Sequence, residues 1–269
     1  MTYRSYFDQI EEQRRNEGIS GFSAAIEFLR YHGTLEEVLT QTEDALRKGE
    51  GALRTFDLVR LALHPPRILR AIIDYKIEHP GTEIEEITRE AMFFCLQVYR
   101  RGEHCLDSLS TLKQKILSFS DSSQGDSPIT RPINQKLDST SSASYYPNYS
   151  KDAVRRIAQA THTSNLLFIA LAHGGIPVGL DVFLRFSDEF PESSSVFYAA
   201  RHSRDKHKDQ EVQLSPSEID YLRNLASTRK LVIFDEDRST GATLGYSVNF
   251  FEQKLGIPHD FIIDIANIG

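Results

Sequence analysis

Leu231-Val232-Ile233-Phe234-Asp235-Glu236-Asp237-Arg238-Ser239-Thr240-Gly241-Ala242-Thr243 decides how the C-terminal half is read. Four apolar residues run into three acids. A small, hydroxyl-rich turn with one glycine follows, and Leu244, Val248, Phe251 and Leu255 then recur at spacings of four, three and four. A short apolar run bounded by turn residues predicts a buried strand, and the later recurrence predicts one face of an amphipathic helix. The stretch therefore reads as a strand, a polar loop at its C-terminal end, and a helix whose N-terminus faces that loop. Loop hydroxyls and the free N–H groups of a first helical turn suit a phosphate. The carboxylates suit ribose hydroxyls or a metal ion.

The pattern repeats on either side. Leu166 to Leu171 reads as a buried strand and is followed by Ala172-His173-Gly174-Gly175-Ile176-Pro177-Val178-Gly179. Glycines there permit close backbone approach to an anion. Ser195 to Ala200 is a second strand and leads into the basic run Arg201 to Asp209. Ser215-Pro216-Ser217-Glu218 is a capping box with proline at the first helical position, so a helix is predicted from there to about Ser227. Gly256-Ile257-Pro258 stops the helix that carries Leu255, and Phe261 to Ala266 is a last strand. Strands alternating with helices predict an α/β fold with a mostly parallel sheet flanked by helices. Its binding sites are expected at the C-terminal strand ends.

The segment Asp235 to Thr243 resembles the phosphoribosyl-pyrophosphate (PRPP) signature of type I phosphoribosyltransferases. That signature is an apolar strand, an acidic pair, two usually apolar residues, then a small or hydroxyl residue and Thr-Gly-x-Thr. Two departures stand out: the second acid, usually Asp, is Glu236, and Asp237 and Arg238 occupy the usually apolar positions. The resemblance covers roughly residues 151–269 and implies four roles. Asp235 and Glu236 would bind the ribose hydroxyls. Ser239, Thr240, Gly241, Ala242 and Thr243 would hold the 5′-phosphate. His173, Gly174 and Gly175 would meet pyrophosphate. Arg201, Arg204, Lys206 and Lys208 would form a mobile basic loop that closes over it. Mg²⁺ would be bound mainly through PRPP, with Asp235 and Glu236 as candidate ligands. No catalytic side chain is assigned. Ser239 stands where purine-salvage members carry an acid, so purine salvage is disfavoured.

Two functional readings stay open at this point. The first is transfer of a 5-phosphoribosyl group to an unidentified nitrogen acceptor, with release of pyrophosphate. The second is a regulator that senses PRPP or a nucleotide without turnover and works through a helical interaction domain. A more remote alternative is a haloacid-dehalogenase-like phosphatase, with Asp235 as nucleophile and Asp237 as acid/base. That motif normally opens its fold.

Residues 1–117 read as an all-α domain. Ile84, Ile87, Ala91, Phe94 and Val98 form a helical stripe, and two further apolar faces are expected to break at His64-Pro65-Pro66. This half carries no catalytic motif and is read as a domain for a protein partner or homo-oligomer. Residues 118–150, rich in Ser, Pro, Asn and Asp, read as a flexible linker between it and the phosphoribosyltransferase-like domain at 151–269. A net charge of −7 argues against broad nucleic-acid binding. No apolar run approaches the ~20 residues of a membrane span. The two cysteines, Cys95 and Cys105, form no metal-ligand cluster, and their scarcity fits a reducing cytoplasm.

Overall fold

The computed structural model describes residues 3–18, 31–102, 104–122, 127–133, 147–161, 165–172, 174–202, 209–235, 242–259 and 262–266. The chain divides into two compact units between Tyr145 and Tyr146.

The N-terminal unit is helical. Its helices are α1 (Tyr6–Asn16), α2 (Leu35–Arg47), α3 (Thr55–Glu78), α4 (Thr82–Arg100) and α5 (Cys105–Ser122). α3 is the hub and packs against α1, α2 and α4, and α5 packs on α4 and α2. Leu58, Leu61, Leu63, Ile68, Leu69, Ile72 and Ile73 are all buried, so α3 is apolar around most of its circumference, as a central helix must be. The expected break at His64-Pro65-Pro66 does not occur, because α3 runs through both prolines. Proline at 66 has no N–H for the Ala62 carbonyl one turn earlier. The Tyr99 hydroxyl of α4 donates to that carbonyl instead, so the buried acceptor is satisfied from a neighbouring helix.

Both ends of the expected linker, residues 118–150, are helical. Residues 118–122 complete α5, and a new helix begins at Pro147. Between them, residues 127–133 lie along the start of α2. The Glu36 N–H in its first turn donates to the Ile129 carbonyl at 3.1 Å, and the Ile133 N–H donates to the Gly33 carbonyl at 2.7 Å. A helix start has free donors, and this segment supplies an acceptor for one of them. Residues 123–126 and 134–146 lie outside the described residues.

The C-terminal unit is an α/β sandwich. Its elements are α6 (Pro147–Thr161), β1 (Leu166–Ala172), α7 (Gly175–Glu189), β2 (Val196–Arg201), α8 (Pro216–Ala226), β3 (Lys230–Asp235), α9 (Ala242–Leu255) and β4 (Ile262–Ala266). The strands form one parallel sheet in the order β2-β1-β3-β4. The chain moves one way from β1 to β2 and the other way from β2 to β3 and on to β4. Right-handed crossovers then put α7 on one face and α8 and α9 on the other. The packing agrees: α6 lies on α7, and α8 lies on α9.

Alternation along the strands assigns the side chains to faces. Phe168, Phe197 and Phe234 stack across three strands, with ring centroids 6.1 and 5.9 Å from Phe168. They form the floor beneath α7, where Phe183 meets Phe168 and Phe197. On the opposite face, Tyr198 donates its hydroxyl to buried Glu218 of α8 at 2.5 Å. Glu218 also closes the predicted capping box, receiving the Ser215 N–H at 2.9 Å while its own N–H reaches the Ser215 hydroxyl at 3.2 Å. The predicted stripe Leu244, Val248, Phe251 and Leu255 is the buried side of α9.

Candidate functional site

β1 and β3 are neighbours whose outgoing connections diverge, one to each face of the sheet. Such a switch point leaves a crevice beyond the C-terminal strand ends, where ligands of open α/β sheets bind. Phe234 pairs with Ala170, so Asp235 stands level with Leu171 near the end of β1. Asp235 ends β3 and is half-buried. Gly174 and Gly175 follow β1 on one side, and Ala242 and Thr243 open α9 on the other. Residues about 60 apart in sequence therefore border one crevice.

Neither helix start is met by a carboxylate of its own first turn. Gly174, the N-cap of α7, makes no side-chain cap bond, and neither α7 nor α9 carries an acid in its first turn. The positive end of each helix dipole is thus not neutralised from within its own first turn. Gly179 lets α7 sit close to the sheet, since a Cβ there would lie 2.8 Å from Ala170 Cβ and 3.3 Å from Phe234 Cδ1. The glycine sets the helix-to-strand distance and hence the height of Gly174 and Gly175 above the crevice.

One expectation is corrected. Arg201 is not on a loop but is the last residue of β2, and it is buried. Its Nε and Nη2 each donate to a carboxylate oxygen of buried Asp209 at 3.1 Å, a two-pronged ion pair. The Gln213 N–H donates to the Arg201 carbonyl at 2.8 Å and fastens the same strand end. A guanidinium committed to a buried carboxylate is a structural tie. Arg204, Lys206 and Lys208 lie outside the described residues, as do His173, Glu236, Ser239, Thr240 and Gly241. The described candidates at the C-terminal ends of the neighbouring strands β1 and β3 and the helix starts beyond them are Gly174, Gly175, Asp235, Ala242 and Thr243.

Next to Arg201, His202 is 2% exposed and falls on the α8 and α9 face of the sheet. Its Nδ1 lies 2.7 Å from the hydroxyl of Ser247, which is fully buried on α9. The Ser247 hydroxyl lies 2.9 Å from the Thr243 carbonyl. Sequence reading passed over this pair. The available signal was Ser247, a polar residue one turn past Thr243 and beside Val248 on the buried stripe.

Away from the crevice, the titratable groups serve packing. His64 on α3 is neutral, its pKa pushed down to about 2 by burial and then by the charges of Arg67 and Arg60. Arg67 Nη1 donates to His64 Nδ1 at 2.9 Å, so the proton is on Nε2, which donates to Gln41 Oε1 at 3.0 Å. Cys95 and Cys105 are free and buried, and burial raises both thiols, Cys105 to about 11. Among the described residues no cluster of three or more His, Cys, Asp or Glu side chains suits a metal ion. No described helix is long and apolar enough to cross a membrane.

Comparison with protein families, curated proteins and solved structures finds no match to this chain.

Proposed function

We propose that the C-terminal unit is a phosphoribosyltransferase-like domain that binds PRPP with Mg²⁺ in the crevice between β1 and β3. The supporting observation is a coincidence of two independent lines. Asp235, Ala242 and Thr243, the described residues of the run that resembles the PRPP signature, end β3 and open α9 beside the point in the described sheet where connections diverge. Asp235, with Glu236, binds the ribose hydroxyls. The first turn of α9 at Ala242 and Thr243, with Ser239, Thr240 and Gly241, holds the 5′-phosphate. Gly174 and Gly175, with His173, present backbone to the pyrophosphate. Mg²⁺ fits this donor set, because it takes one or two carboxylates plus phosphate oxygens and needs no all-protein cage. When bound it neutralises diphosphate charge. The domain's own contribution is orientation and placement of N–H donors around a ligand whose C1 substituent leaves as pyrophosphate.

A second reading, sensing of PRPP or a nucleotide without turnover, draws on the Arg201–Asp209 pair, which withdraws one cation from any closure over pyrophosphate. The phosphatase alternative gains no support, since Asp235 ends the third of the described strands and does not open the fold. A reducing cytoplasm is part of the same proposal and suits two buried free thiols.

The test is calorimetric titration of PRPP with Mg²⁺ into the full chain and into Asp235→Asn. Binding to the wild type and its loss in the variant support the site. A folded wild-type protein that binds no PRPP refutes it. Where binding holds, pyrophosphate release in the presence of candidate bases and amines separates transferase from sensor.

A further inference from the structure

His202, Ser247 and Thr243 form a chain whose hydrogens can be placed by counting. A serine hydroxyl has one hydrogen to donate. The Thr243 carbonyl can only accept, so the 2.9 Å contact uses the Ser247 hydrogen. The 2.7 Å contact from His202 Nδ1 then requires the hydrogen on Nδ1, with the Ser247 oxygen accepting. One arrangement satisfies both contacts: Nδ1–H to Oγ, and Oγ–H to the Thr243 carbonyl. All three residues are described, and His202 and Ser247 are almost wholly buried, so neither contact is diluted by water.

The chain continues through the peptide bond. The Thr243 carbonyl and the Leu244 N–H belong to the same planar unit, so fixing one direction fixes the other. Leu244 is the third residue of α9, and its N–H is among the first-turn donors that have no partner within the helix. As in any α-helix, that N–H points out of the helix start. The dipoles run head to tail, from imidazole N–H to hydroxyl to carbonyl to amide N–H. Each donor in such a chain strengthens the next acceptor, and an anion drawing on the last N–H strengthens all of them.

We propose that His202 is a positioning residue for the phosphate-binding turn of α9, acting through Ser247 to aim and polarise the Leu244 N–H. This rests on the PRPP reading of the crevice. It also ties the end of β2, where Arg201 is fastened to Asp209, to the start of α9 on the far side of β1. His202 touches no ligand in this scheme. The imidazole sets where the amide points, and the amide meets the 5′-phosphate.

Two measurements on the full chain test it. Long-range ¹H–¹⁵N spectra of the ligand-free protein should show His202 protonated at Nδ1. An Nδ1 that carries no hydrogen overturns the chain whether or not PRPP binds. Calorimetric titration of PRPP with Mg²⁺ should show about tenfold weaker binding in Ser247→Ala and in His202→Leu, the loss expected for about 1.4 kcal/mol. The double variant should bind no more weakly than either single one, because the two residues act as a unit. His202→Asn keeps an N–H donor near the Nδ1 position and should retain most of the affinity, which a merely space-filling role for His202 does not predict. Wild-type affinity in Ser247→Ala overturns the positioning role and leaves the PRPP site standing. Absence of PRPP binding to folded wild type overturns the site and the positioning role together.

Discussion

Gly179 offers a test of how closely α7 lies on the sheet. A Cβ at this position would stand 2.8 Å from Ala170 Cβ, about 0.7 Å inside the ordinary carbon–carbon contact distance. The obstacle is a strand Cβ with no rotamer to escape into, and Phe234 and Phe168 crowd the same point at 3.3 and 3.5 Å. Gly179→Ala must therefore lift α7 from β1, and overpacking of this kind costs about 1–3 kcal/mol. The same change also gains about 1 kcal/mol of helix propensity, which obscures the result if it is measured alone. Gly245 on α9 supplies the control, since a Cβ there meets nothing within 4 Å. Gly245→Ala should stabilise by about 1 kcal/mol, and the propensity gain cancels when the two variants are compared. Amide exchange in β1 at Leu167 to Leu171 reads the opening of this unit without interference from the helical one. Exchange there should run roughly five- to 150-fold faster in Gly179→Ala than in Gly245→Ala, the ratio for about 1–3 kcal/mol. Equal rates in the two variants would refute the close approach of α7. If the crevice holds PRPP, only Gly179→Ala should also weaken PRPP binding, because it displaces Gly174 and Gly175.

Three further outcomes follow from buried partnerships. Tyr99→Phe strands the Ala62 carbonyl beneath Pro66 and should destabilise the helical unit by about 1–3 kcal/mol in urea titration, with Pro66→Ala restoring part of the loss by returning an N–H. His64 is neutral in the fold with a pKa of about 2, whereas the unfolded chain takes up a proton near 6.5. The unfolded state therefore binds more protons below pH 6.5. The stability due to His64 is complete above that pH and falls by about 1.4 kcal/mol per unit as the pH drops toward the folded value. Urea midpoints at pH 7 and pH 5 should thus diverge more in wild type than in His64→Gln, by about 2 kcal/mol, and parallel behaviour would remove the effect from His64. Arg201→Leu leaves buried Asp209 without its two-pronged partner and should cost about 3–5 kcal/mol by thermal unfolding. Adding Asp209→Leu should recover much of that loss, since the penalty belongs to the buried carboxylate.

Much of the C-terminal unit was legible because local signals agreed. Ser215, Pro216 and Glu218 cap α8 as their spacing predicts, and Leu244, Val248, Phe251 and Leu255 are buried along α9. Of the candidate site, the sequence indicated Asp235, Gly174, Gly175 and Thr243 as ends and beginnings of elements. It did not indicate Arg201 as a tie, because a basic run looks the same whether its first residue meets solvent or a buried Asp209 eight positions on. The described part of the Ser-rich stretch shows a related limit of composition. Its composition says nothing of Ile129 and Ile133, whose backbone bonds engage the start of α2 and the residue before its N-cap.

The sequence alone determined the order and period of strands and helices in the C-terminal half, since apolar spacing, caps and turn residues act within one or two turns of chain. Only the tertiary structure decided that α3 continues through Pro65 and Pro66, that β1 and β3 are neighbours, and that His202 reaches Ser247. Each of these depends on a hydrogen bond between residues more than 35 apart in sequence, or on a strand order that no single segment encodes. A carbonyl missing its helical donor, or an imidazole N–H without a local acceptor, is satisfied by whatever group packing brings to it.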